Sequence, residues 1–112
     1  MTRRTSKVEE LLREEISKLI QAELPEQLGL ISVTRTFVAP DLRDARIYLS
    51  AIIAGNEDKI MKQLEQKRIA FQKTLGRKLQ LRNTPRLSFE FDRARFEIDR
   101  IEELLEEINR GT

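Results

Sequence analysis

At 112 residues, with 36% of side chains charged and 39% hydrophobic, the chain is sized for one domain with one modest core and is too apolar for a disordered segment. It has no cysteine and no histidine, which excludes disulfides, thiolate chemistry and the commonest general base and metal ligand. A net charge of +2 conceals a segregation: residues 59–86 carry nine basic and one acidic side chain, and residues 87–112 carry four basic and eight acidic.

Val8, Leu11, Leu12, Ile16, Leu19 and Ile20 recur at helical spacing, which predicts a helix from Ser6 to about Leu24. Ser6 and Glu9 fit a capping box at its start, Pro25 ends it, and Gly29 closes the following turn. The segment LISVTRTFV alternates and is rich in β-branched residues, so it reads as a strand. Ile31, Val33 and Phe37 take one face, with Arg35 the exception. A turn follows at APDLRD, where Pro40 presets the backbone and Asp41 can bond its own chain. ARIYLSAII is a second strand, with Ala45, Ile47, Leu49, Ala51 and Ile53 on one face, and the two make an antiparallel hairpin.

Asn56 is placed to cap a second helix running toward Leu81, with Glu57 and Asp58 at its positive end. Ile60, Leu64, Phe71, Leu75 and Leu79 share one arc of it, but the arc is interrupted by Lys67 and Arg68, and Ile69 points away. Either the helix breaks near 66–69 and restarts rotated, or it runs on with two cationic stems along its surface and Ile69 exposed. The break is the preferred reading. After Pro85, Leu87, Phe89 and Phe91 alternate as a third strand. From Arg93, residues Phe96, Ile98, Ile101, Leu104, Leu105 and Ile108 give a last helix. The expected fold is one α+β domain over 1–112, with a core at 6–92 and a C-terminal helix at 93–110. A three-stranded sheet carries helices on one face.

Little here supports catalysis. Asp41 with Asp44, and Glu90 with Asp92, lie on turns or solvent faces without a nucleophile, and neither a phosphate-binding lysine loop nor a dinucleotide fingerprint occurs. No enzyme, metal, cofactor or small-molecule substrate is expected. No apolar run approaches a membrane span, and the N-terminus lacks the apolar core of a signal peptide, so a cytoplasmic monomer is expected.

The basic stretch is the informative feature. Lys59, Lys62, Lys67, Arg68, Lys73, Arg77, Lys78, Arg82 and Arg86 are relieved only by Glu65, whereas a solvated helix face usually interleaves both signs. Nucleic acid is the partner that such a patch fits. Phe37, Phe71, Phe89, Phe91 and Phe96 all fall on apolar faces, which leaves Tyr48 as the one outward ring. Contact with phosphates and RNA shape is therefore expected rather than with unstacked bases. Gly76 marks either close packing of the helix or close approach of an RNA backbone. The rival to RNA binding is a protein–protein module or homodimer, with the basic helix against an acidic partner such as the last helix.

The element order is that of a type II KH domain, yet no GXXG loop is present. VAPDLRDARIYLS is similar to the turn and second strand of the ribosome-binding factor A family, whose KH-like fold lacks that loop. LGRKLQLRNTPRLSFEFD resembles the family's second middle helix, proline turn and third strand, and RIEELLEEI its last helix. The resemblance runs from Ser6 to about Ile108. It implies a non-catalytic assembly factor that binds the small ribosomal subunit and its RNA in late maturation, including processing of the RNA 5′ end, and that is linked to growth in the cold. Two motifs depart from the family. Its usual Ala-x-Gly is Lys67-Arg68-Ile69 here, on the same residues as the interrupted stripe, and its frequent Asp-Pro-Arg is Leu24-Pro25-Glu26. The expected RNA contacts are Lys67, Arg68, Lys73, Arg77, Lys78, Arg82 and Arg86, with Arg43, Arg3, Arg4 and Lys7 adding to them.

Overall fold

A computed structural model describes residues 3–51, 55–92 and 104–108, with side chains from residue 6 onward. Helix α1 spans Arg3–Glu23, followed by a single 3-10 turn at Glu26–Leu28. Strands β1 (Ile31–Val38) and β2 (Asp44–Ala51), helix α2 (Glu57–Lys78) and strand β3 (Arg86–Phe91) complete the core. The sheet order is β1-β2-β3, with β1 antiparallel and β3 parallel to β2. A parallel neighbour needs a crossover, and α2 supplies it. Along β2, Ala45, Ile47 and Leu49 are fully buried while Asp44 and Arg46 are exposed, so α1 and α2 cover one face of the sheet and leave the other open. Beyond Phe91, residues 104–108 are helical with exposed side chains. The expected last helix from Arg93, with Phe96, Ile98 and Ile101, otherwise lies outside the described residues, as does Ile53 of the second expected strand.

Four expectations are corrected. Helix α1 begins by Arg3, so Ser6 lies within it rather than at a capping box. Glu9, the expected partner of that box, is buried instead, and its carbonyl accepts the Thr36 hydroxyl at 2.6 Å. Asn56 stands at the N-cap of α2 as expected, but its side chain makes no cap bond; it donates to the Leu28 carbonyl at 3.4 Å, while Glu57 reaches back to accept the Gly55 N–H at 2.8 Å.

The third correction concerns β1. The register slips between Val33 and Arg35, so Thr34 is an extra residue. A bulge of this kind moves every later side chain to the opposite face. Thr36 and Val38 therefore point inward, and Arg35 and Phe37 point out. Phe37 is 45% exposed rather than in the core. Phe71 and Phe89 are buried as expected, Phe91 is partly buried, and Phe96 lies outside the described residues.

The fourth concerns α2, which runs without interruption across 66–69. Arg68 fills the gap in the apolar stripe between Leu64 and Phe71. Its side chain is only 23% exposed and is held by Glu65 at 3.4 Å and by Gln72 at 3.5 Å. A long aliphatic stem covers apolar surface while its charged end finds partners, so the stripe does not need a break. Ile69 is left 50% exposed on the far side.

Candidate nucleic-acid interface

The cationic residues of α2 divide by their position around the helix. Ile60, Leu64, Phe71 and Leu75 form the buried side. At about 100° per residue, Lys59, Lys62, Lys73 and Arg77 lie opposite it, and all four are exposed. They span about 27 Å, since the helix rises roughly 1.5 Å per residue. Among the described residues none of the four has an ion-pair partner. Beside the C-terminal half of this row, Lys73, Gly76, Arg77, Leu81 and Thr84 line an open cleft of about 460 Å³. Two free cations at one recess suit a phosphate group.

The other expected contacts are placed differently. Lys78 turns to α1, where its ammonium lies 2.9 Å from the Glu15 carboxylate. That bond, with Lys18 nearby, holds Glu15 below its ordinary value of 4.5. Arg68 is drawn toward the free edge of β3, because its partner Gln72 accepts the Leu87 N–H at 3.0 Å. Lys67 is partly buried. Arg82 is exposed in the loop after α2. Arg86 and the turn residue Arg43 are exposed at one end of the sheet, joined by the Arg86 N–H to the Arg43 carbonyl at 2.8 Å. Lys7 is exposed on α1, and the Arg3 and Arg4 side chains lie outside the described residues. The structure thus puts Lys73 and Arg77 on the same side of α2 as Lys59 and Lys62, the two pairs about 16 Å apart along the helix. Those two lysines belong to the same basic run, and their helical phase with Lys73 is readable in the sequence, yet they are missing from the expected contact set.

The α2–β3 connection fixes the end of this row. Leu81 N–H reaches the Gly76 carbonyl at 3.1 Å and Gln80 N–H the Arg77 carbonyl at 3.4 Å, with Gln80 at φ 51°. This pair of bonds is a Schellman stop. The turn lays Thr84 directly against Gly76, leaving no room for a Cβ there. The glycine therefore accommodates the chain's own loop.

No group of three or more acidic side chains able to hold a metal is found among the described residues, and no described helix is long and apolar enough to cross a membrane.

The sequence model of the family described as "Ribosome-binding factor A" matches residues 4–105. The chain belongs to the ribosome-binding factor A family. A ribosome-binding factor A of Chlorobaculum parvum is 40% identical over 99% of this chain and 95% of the relative. That of Opitutus terrae is 31% identical over 100% of this chain and 93% of the relative. The crystal structure of ribosome-binding factor A from Thermus thermophilus superposes with a TM-score of 0.69 at 23% identity, over 77% of this chain and 93% of that one. A homology model of the Thermus thermophilus protein, fitted into a cryo-EM map of its 30S complex, gives a TM-score of 0.64 at 24% identity, over 75% of this chain and 90% of that one. The fold of this family is thus shared, although Lys67-Arg68-Ile69 sits inside an uninterrupted α2.

Proposed function

We propose that the protein is a non-catalytic assembly factor that binds the small ribosomal subunit and its RNA. The observation that carries this is the exposed row Lys59, Lys62, Lys73 and Arg77, free to meet phosphates on a member of a ribosome-binding family. A Thermus relative fitted into a 30S complex supports the small subunit as the partner. Phosphate contact comes first from this row and from the cleft beside Gly76. Arg82, Arg86, Arg43 and Lys7 extend it. Lys78, Arg68 and Lys67 contribute less, because two are tied to carboxylates and the third is partly buried. Late maturation, 5′-end processing of the small-subunit RNA, growth in the cold and a cytoplasmic place follow from the family resemblance and belong to this proposal.

Sedimentation of cell lysate through sucrose tests the partner. The protein is expected to co-migrate with free small subunits at low salt and to leave them as salt rises. A position at the top of the gradient at every salt concentration sinks the small-subunit reading and favours a protein partner for the basic helix.

A further inference from the structure

We propose that the open face of the sheet is a second RNA site, which takes a single-stranded segment by stacking a base on Phe37. The inference rests on the reading that the chain meets ribosomal RNA, but it uses a surface other than the row on α2. Single exposed apolar residues are common, so the exposure of Phe37 alone decides nothing. Its setting does. The bulge at Thr34 turns the ring out of the core and pairs Phe37 with Arg46 on the neighbouring strand. The ring borders a cleft of about 450 Å³ to which Arg46, Arg68 and Arg86 also contribute. Arg46 stands beside the ring at the paired position on β2, and Arg86 and Arg68 line the same cleft from β3 and α2.

A ring with one guanidinium beside it, at the border of a cleft that two more arginines line, matches an unstacked nucleobase and its phosphate. On the same face the Arg35 guanidinium lies 4.1 Å from the centre of the Tyr48 ring, so the second outward aromatic is already covered. Asp44 and Glu65 also line the cleft, and Glu65 pairs with Arg68. Arg46 is held strongly charged by the Tyr48 hydroxyl first, then by Glu90 and Asp44. The local charge is therefore partly offset. Stacking, rather than counterion release, supplies the affinity here, which sets this surface apart from α2.

The test uses the full chain with two labelled probes, a ten-nucleotide oligouridylate and an RNA hairpin, read by fluorescence anisotropy across a salt series. Phe37→Ala is expected to weaken oligouridylate binding by about 5- to 100-fold with an unchanged salt slope. Hairpin binding and melting temperature stay at wild-type values, and Phe37→Tyr restores oligouridylate binding. Equal oligouridylate affinity for wild type and Phe37→Ala overturns the inference. So does a wild-type chain that binds the hairpin but not the oligouridylate, which leaves the role of α2 standing. A wild-type chain that binds neither RNA overturns both.

Discussion

Gly76 is the residue at which a local preference and a tertiary contact oppose each other. Alanine in a helix is favoured over glycine by about 0.5–1 kcal/mol. A Cβ at Gly76, however, collides with the Thr84 hydroxyl, and overpacking typically costs about 1–3 kcal/mol. Gly76→Ala is therefore expected to destabilise the protein by about 1–2 kcal/mol in denaturant unfolding. In a Thr84→Ala background the collision is gone, and the same substitution is expected to be neutral or stabilising. A uniform loss in both backgrounds contradicts this account. Glu15 and Lys78 give a pH signature. The folded-state pKa of Glu15 is depressed, mainly by Lys78, so this contribution to stability is present above about pH 4.5 and is lost as pH falls through the folded value. Lys78→Gln is expected to lower the melting temperature slightly at about pH 7 and to converge on wild type as pH falls through the folded value of Glu15. The size is that of a surface ion pair.

Element by element, the regular parts were readable and the irregular parts were not. Alternation in ARIYLSAII placed Ala45, Ile47 and Leu49 inward because β2 is regular, with helices on one face and the other face open. In β1 the same alternation put Phe37 in the core. Arg35, the one residue out of pattern, was the trace of the bulge, and a single exception does not say where the extra residue sits. In α2 the apolar stripe was correct, but periodicity counts Arg68 as polar and cannot see its stem lying over the core. The charged run was legible as a run. Its division into a free row and a set of paired flanks depends on Glu15, Glu65 and Gln72, of which Glu15 is distant in sequence. The end of α2 shows another silent feature: Gln80 adopts a left-handed conformation that favours glycine, well before Pro85. Gln80→Gly is expected to raise stability by about 0.5–1 kcal/mol, read as a higher denaturant midpoint with unchanged slope. A lower midpoint overturns the assignment of this turn as the helix stop.

For the whole molecule, part of the basic run at residues 59–86 becomes a row in space. The sheet and α1 build a core that holds α2 by its apolar side, and the opposite side of α2 is left as a long cationic row. The proposed function rests on that row meeting RNA phosphates. Its most direct test is the salt dependence of binding to an RNA hairpin by the full chain, comparing wild type with a variant carrying Lys59→Gln, Lys62→Gln, Lys73→Gln and Arg77→Gln. All four side chains are exposed, so the variant is expected to fold, which circular dichroism checks. Each phosphate contact contributes about 0.7–0.9 to the slope of log affinity against log salt, so the four substitutions are expected to reduce it by about three. A folded variant with the wild-type slope contradicts the account.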